Sequence, residues 1–218
     1  MAQSNMQLFE DCPLCAGAEV ADYHRDQRRA YLQCLDCQLV FVPQRFHLSA
    51  DQEKAEYDLH ENDPRDPDYR SFLNRLAEPL LERLDPQSQG LDFGCGPGPC
   101  LSLILEESGH SVALYDLYYA NYPALFEVQY DFITATEVVE HLARPLVELE
   151  ALWGLLKPGG QLAMMTKLVA SPEKFASWHY KSDPTHISFF SEATFNYLGE
   201  RWGSAPEFIC ADVILFQK

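Results

Sequence analysis

Apolar positions along this chain follow two periods. The segment "FLNRLAEPLLERL" (72–84) repeats Leu73, Leu76, Leu80 and Leu84, the spacing of a helix with one buried face. Pro79 is expected to bend that helix or shift its start. "LSLILEESG" (101–109) predicts a helix stopped by Gly109. "RPLVELEALWGLLKPGG" (144–160) predicts another, turning Leu146, Leu149, Trp153 and Leu156 inward and ending at Pro158-Gly159-Gly160. "SEATFNYLGERWG" (191–203) predicts a further helix, capped by Ser191. Between them lie short apolar runs that read as strands: Leu91 to Phe93, "HSVALYD" (110–116), "YDFITATE" (130–137) and "QLAMMTK" (161–167). "EFICADVILFQK" (207–218) adds one or two closing strands. Strands separated by helices of this length predict an α/β fold, a mainly parallel sheet with helices on both faces.

The first third of the chain has a different pattern. "AYLQC" and "LVFVP" have strand character and suit a short hairpin. "HLSADQEKAEYDLHENDPRDPDY" (47–69) is rich in Asp, Pro and Asn, with a short helix around Gln52 to Leu59, and reads as an arm packing on the main domain. The expected division is a small module at 1–46, a linker or lid arm at 47–69 and the main domain at 70–218.

Four of the seven cysteines form the pairs Cys12-Pro-Leu-Cys15 and Cys34-Leu-Asp-Cys37, separated by 18 residues. Two-residue spacers let each pair turn as a knuckle presenting two thiolates to one tetrahedral zinc, with no position left for water. That points to a structural zinc ribbon, the metal standing in for a core that so short a segment lacks. The competing reading is a redox pair. Cys100 and Cys210 stand apart from this set, and Cys95 and Cys100 flank a glycine loop as small packing residues.

Composition bounds the partners. With 47% hydrophobic and 22% charged residues the chain reads as an ordinary globular protein. Sixteen Lys and Arg against 33 Asp and Glu give a formal charge of −17, a field that repels nucleic-acid backbones and anionic membranes. The one local basic run, "HRDQRR" (His24 to Arg29), reads as a solvated surface turn. No window reaches the length of a membrane span, and "MAQSNMQLFEDCPLC" has neither a basic n-region nor an apolar h-region. A cytoplasmic location without membrane contact is expected.

The chemistry concentrates around "LDFGCGPGP" (91–99), where Gly94, Gly96 and Gly98 follow a strand. The third glycine of a dinucleotide fingerprint comes one residue early, and Pro99 suits the first turn of the next helix. This loop fits a ligand that needs close backbone approach without a pyrophosphate, such as a nucleoside carrying an amino acid. Asp116, at the end of the next strand, stands where a carboxylate accepts from both ribose hydroxyls.

In that order, "LDFGCGPG", "ALYD", "YDFITATEVVEHL" and "LKPGGQLAMMTK" resemble class I S-adenosylmethionine-dependent methyltransferases over roughly residues 70 to 218. The resemblance implies a seven-stranded Rossmann-like fold and S-adenosylmethionine as methyl donor. By position, Gly94, Gly96 and Gly98 would pass beneath the methionine and ribose portions, and Asp92 would orient the loop or the amino group. Asp116 would hold the ribose, Cys95 and Leu117 would line the same site, and Thr136 and Glu137 would lie beside the sulfonium end. Only "LYYANYPALFEVQ" separates Asp116 from Tyr130, so the family's third strand is expected to be missing or short. The adenine would then rest on tyrosines such as Tyr115 or Tyr118.

A hydroxyl acceptor also needs a base or a metal. "EVVEH" resembles the E-x-x-E-H pattern by which ubiquinone-pathway O-methyltransferases hold a divalent metal, which would place a second metal at Glu137, Glu140 and His141. The same letters also serve as a strand end and helix start that cap and pack without a metal, and that reading weighs more. "WHYKSDPTHISFFS" (178–191) gathers His179, Tyr180, Lys181, Asp183 and His186 in a loop that by fold analogy lies over the transfer site. His186 is the preferred general base, weighed evenly against a histidine that caps a turn and binds backbone, with His141 and Glu137 as further catalytic candidates and His179 behind them. His60 and Tyr57 are lid candidates. A cysteine ribbon ahead of such a domain resembles certain deoxysugar C-methyltransferases, which are much longer, and certain ribosomal-RNA guanine methyltransferases. Three readings follow: methylation of a small molecule, O-methylation favoured; a non-catalytic interaction module on a methyltransferase-like scaffold; and RNA methylation, which the charge opposes.

Overall fold

The computed structural model describes residues 10–59 and 62–218, so His60 lies outside the described residues. In chain order the elements begin with strands β1 (Val20–Arg25), β2 (Ala30–Cys34) and β3 (Val40–Phe41), then helices α1 (Ala50–Tyr57) and α2 (Pro67–Leu81). Next come β4 (Gln89–Phe93), α3 (Cys100–Glu107), β5 (Ser111–Tyr115), β6 (Tyr130–Thr136), α4 (Pro145–Leu155) and β7 (Leu156–Met165). The chain continues through α5 (Pro172–Ala176), β8 (Ser188–Phe189), α6 (Glu192–Trp202), β9 (Glu207–Phe208) and β10 (Val213–Gln217).

The larger sheet has the order β5-β4-β6-β7-β10-β9, parallel from β5 to β7 and antiparallel through β10 and β9. Chain order reverses at β4, with β5 on one side and β6 on the other. This is the switch point where open α/β sheets leave a crevice at the strands' carboxyl ends. Residues 117–129 form a turn and one short 3-10 helix, Pro123–Glu127, and β5 stays at the edge. The sheet therefore has six strands among the described residues, and the third strand of the family pattern is missing, as the short "LYYANYPALFEVQ" segment implies.

Alternate residues of the inner strands serve opposite faces. Phe132, Ala163, Met165, Val213 and Leu215 pack with Leu73, Leu76, Leu80, Leu101 and Leu105 of α2 and α3. Ile133, Ala135, Leu162, Met164, Ile214 and Phe216 pack with Leu149, Leu152, Phe195 and Leu198 of α4 and α6. Burial on both faces explains why these strands read as continuous apolar runs. Pro79 leaves α2 unbroken to Leu81, because it falls in the last turns and removes a single helix bond.

Two elements differ from the sequence reading. Helix α4 stops at Leu155 and the strand begins at Leu156, so Pro158-Gly159-Gly160 lies inside β7. Gly159 N donates to Lys218 O at 2.7 Å, and Lys218 Nζ reaches the α4 carbonyls of Trp153 (2.7 Å) and Gly154 (3.3 Å). The end of the closing strand thus caps the helix and draws the following residues into the sheet. The second difference concerns the cysteine module, whose sheet β1-β2-β3 is completed by β8 through the pairs Val40↔Phe189 and Phe41↔Ser188. Cys12, Leu14, Leu32, Leu39 and Phe41 also belong to the same buried cluster as α4 and α6.

Candidate functional site

At the switch point, β4 runs into the glycine loop. Gly94 and Gly96 have φ values of +75° and +63°, backbone that favours glycine. A Cβ on Gly98 would meet the Asn62 carbonyl oxygen at 2.2 Å, so that glycine is set by close approach of the chain ahead of α2. Asp116 Oδ2 accepts from Gly96 N at 3.0 Å, while Oδ1 accepts from Tyr118 N (2.8 Å) and Tyr119 N (3.1 Å). Three backbone donors thus pin the carboxylate at the end of β5. Asp92 is buried and accepts from the Thr134 hydroxyl at 2.7 Å. Burial pushes its carboxyl up to about 6, against the pull of that hydrogen bond.

The loop, Asp92, Cys95, Asp116, Leu117, Thr136, Glu137, His141 and His186 all line one cavity of about 700 Å³. That size is in the usual range for a small-ligand site. Helix α1 covers part of it: the Tyr118 hydroxyl donates to Glu53 at 2.8 Å, and Tyr119 donates to Asp58 at 2.7 Å. Tyr57 stands edge-on to His141, ring centroids 5.3 Å apart. Tyr115 stacks on Phe93 at 5.5 Å, and both Tyr115 and Tyr118 face the cavity.

The other wall starts at the end of β6. Glu137 has a φ of +53°, a left-handed conformation unusual for a side-chain-bearing residue and the kind of strain that collects at functional sites. Glu140 is fully buried and receives a hydrogen bond from Tyr180, whose hydroxyl also lies 3.3 Å from Glu137 Oε2. Burial raises both carboxyls, and the Glu137 charge raises Glu140 further. Burial and the two carboxylates together hold Tyr180 well above the ordinary phenol range. His186 Nδ1 lies 2.7 Å from Tyr180 O, and His141 Nδ1 lies 3.2 Å from Thr185 O. A carbonyl only accepts, so each Nδ1 carries the proton and each Nε2 is the basic nitrogen. The two rings are 4.6 Å apart, and His186 Nε2 lies 3.7 Å from Asp183 Oδ2.

The sequence expectation for a second metal was Glu137, Glu140 and His141. The structure instead gathers donor atoms of Glu140, His141 and His186 within 4.8 Å of one another, with Glu137 outside that group. Glu140 Oε2 is buried without a hydrogen-bond partner among the described residues, which fits the group to a cation. Lys167, which the sequence left aside, stands at the rim with Nζ 3.2 Å from His179 Nε2 and above the Tyr180 ring.

The four paired cysteines also converge, their sulfurs within 4.8 Å of one another. Cys12 and Cys37 are 3.5 Å apart and Cys15 and Cys34 3.4 Å, far beyond a disulfide bond. The spacing is close to the ~3.8 Å edge of a tetrahedron with metal–sulfur bonds of about 2.3 Å. Ala16 and Gln38, each following the second cysteine of a pair, adopt φ values of +57° and +61° and close matching knuckles.

"HRDQRR" is not a solvated turn throughout. Arg29 is 6% exposed and lies against the loop that carries His186, a placement no local pattern encodes.

A family model described as a methyltransferase domain matches residues 62–205. Ubiquinone biosynthesis O-methyltransferases of Ruegeria pomeroyi and Dinoroseobacter shibae are 36% and 38% identical to the chain over 103 residues. Those matches cover 46% of this chain and only 40% of each relative. Among solved structures, the 1,6-didemethyltoxoflavin-N1-methyltransferase of Burkholderia thailandensis, with 1,6-didemethyltoxoflavin and S-adenosylhomocysteine bound, superposes with a TM-score of 0.51 at 18% identity. That match covers 91% of this chain and 99% of the other, a likeness of fold.

Proposed function

The chain belongs to the methyltransferase-domain family, and from that premise we propose that it transfers the methyl group of S-adenosylmethionine to a hydroxyl of a small molecule. The observation that carries the proposal is one cavity bounded by Gly94 to Gly98 and Asp116 on one wall and by His141 and His186 on the other. The named O-methyltransferase relatives support oxygen as the acceptor atom, and the formal charge of −17 favours a small molecule over nucleic acid.

When bound, S-adenosylmethionine supplies a methyl already activated on a sulfonium, leaving the chain to position, exclude water and take a proton. Asp116 would accept from the ribose hydroxyls, and the Gly94–Gly98 backbone would lie beneath the cofactor. Asp92 would orient the loop, Cys95 and Leu117 line the cavity, and Tyr115 or Tyr118 would face the adenine. Thr136 and Glu137, with Oγ1 and Oε1 buried and unbonded among the described residues, lie beside the methionine portion. His186 Nε2 would take the hydroxyl proton while the oxygen's electron pair forms the bond to the methyl carbon and the methyl–sulfur bond breaks, its electron pair leaving with S-adenosylhomocysteine. Asp183 would steady the resulting imidazolium. Glu140, His141 and His186 are the residues that would hold a divalent ion; with the ion bound, His186 Nε2 would be one of its ligands, and the ion would favour the ionised hydroxyl in place of that base. Cys12, Cys15, Cys34 and Cys37 would hold a structural zinc in the 1–46 module, with 47–69 as a covering arm and 70–218 as the catalytic domain.

Calorimetric titration of the zinc-replete protein with S-adenosylhomocysteine tests the cofactor. Binding is expected in the micromolar range, and Asp116→Ala should weaken it about 100-fold, the worth of two charge-assisted hydrogen bonds. Absence of binding to the intact protein would sink the proposal.

A further inference from the structure

The segment from Tyr180 to Thr185 crosses the acceptor wall as the end of a short 3-10 helix, His179–Ser182, and an irregular run, so most of its carbonyls need donors from elsewhere. All six find one, with Lys181 O also accepting from the Tyr31 hydroxyl (3.3 Å) and Asp183 O from His186 N (3.4 Å). Arg28 reaches Ser182 O at 3.0 Å. Arg29 donates to Lys181 O (2.8 Å), Asp183 O (2.8 Å) and Pro184 O (3.0 Å). The outer two carbonyls, Tyr180 O and Thr185 O, accept from His186 Nδ1 and His141 Nδ1. The middle of the strap is therefore gripped by the cysteine module, and its two ends set which nitrogen of each histidine is basic.

The grip is itself braced. Arg29 Nε donates to the Tyr31 hydroxyl at 3.0 Å, and Asp26 accepts from Arg28 N, Arg29 N, Tyr31 and Lys181 Nζ. A guanidinium is costly to bury, and burial is tolerated here because its planar fork meets several carbonyls at once.

We propose that Arg29 is a positioning residue for methyl transfer, holding the Tyr180–Thr185 strap so that His141 and His186 both present a basic Nε2 to the cavity. This rests on the proposed function for its purpose, but its structural content can be tested separately. The cysteine module is thereby part of the acceptor wall, acting through backbone carbonyls without touching the acceptor.

The test is long-range proton–nitrogen NMR of the histidine rings near pH 8, above the ordinary histidine pKa of about 6.5. Zinc-replete wild type, Arg29→Ala and Arg29→Lys are compared, each also titrated with S-adenosylhomocysteine. Wild type is expected to show the Nδ1–H tautomer for both rings, and Arg29→Ala a tautomer mixture at one or both. Arg29→Lys keeps the charge but lacks the fork, and should give a lesser shift in the same direction. S-adenosylhomocysteine affinity should stay within about threefold of wild type, because Arg29 touches neither the glycine loop nor Asp116. Should Arg29→Ala fail to fold, Arg29→Lys decides: a mixture in either ring supports the role, and two unchanged rings overturn it. Unchanged rings in a folded Arg29→Ala overturn it as well. Failure of S-adenosylhomocysteine to bind wild type would remove the methyl-transfer reading, and the ring spectra would still decide the positioning role.

Discussion

At Asp92, burial and the Thr134 hydrogen bond pull in opposite directions. Its carboxyl has an ordinary value of 3.8 and is pushed to about 6 in the fold. Between these values the native chain keeps a proton that the unfolded chain has lost, so stability falls as pH rises through that window and levels off above it. The full penalty is about 3 kcal/mol, an upper figure for a site that relaxes. Asp92→Asn should therefore stabilise the unliganded protein by up to ~3 kcal/mol at pH 8 and by little near pH 3.5, in urea unfolding across pH. Equal stabilisation at both pH values would contradict the argument. His186→Gln should lower turnover by about 10²- to 10⁴-fold with S-adenosylhomocysteine binding intact, the signature of a lost general base. The glycine loop was legible because three glycines at alternate positions have few other uses. Which glycine does what was not: Gly94 and Gly96 serve their backbone angles, whereas Gly98 makes room for Asn62.

Between strands, the informative residue is one the sequence reading passed over. Gly90 and Phe132 are register partners across β4 and β6, and a Cβ on Gly90 would lie 2.1 Å from the Phe132 ring. The ring covers the glycine, and an aromatic of that size cannot give way in a buried face. Gly90→Ala should cost roughly 2 kcal/mol, part of which Phe132→Leu should restore in the double variant. Strict additivity of the two changes, measured by chemical denaturation, would show that the contact is not shared. Elements were legible wherever the period was long and unbroken, as in α2 and α3. The boundary between α4 and β7 was not, because Pro158-Gly159-Gly160 ends helices in most settings and here is claimed by the closing strand and Lys218.

Across the whole molecule, the cysteine module and the larger sheet share one buried cluster, and the module's own sheet is finished by β8. If the four cysteines hold zinc as proposed, removing it should therefore do more than melt residues 12–46. A single thermal transition is expected for the zinc-replete protein, falling by roughly 10 °C on chelation as the α4/α6 face loses its cover. A second, unshifted transition for the larger domain would show two independent units. The arginine grip also places the module's effect at the acceptor wall, so chelation should impair turnover more than S-adenosylhomocysteine binding.

The sequence alone determined what neighbouring residues encode: the α/β alternation, two cysteine pairs spaced for one metal, a glycine loop after a strand, an aspartate ending the next strand, and the gap where a third strand would be. Each is a local period or spacing, dictated by backbone geometry within a few residues. Tertiary structure alone decided that Arg29 is buried, that it meets a strap 154 residues further along, and that Glu140 groups with His141 and His186 instead of Glu137. Those contacts join segments with no shared periodicity. Their energy comes from satisfying carbonyls and a buried cation that exist as a problem only once the chain has folded.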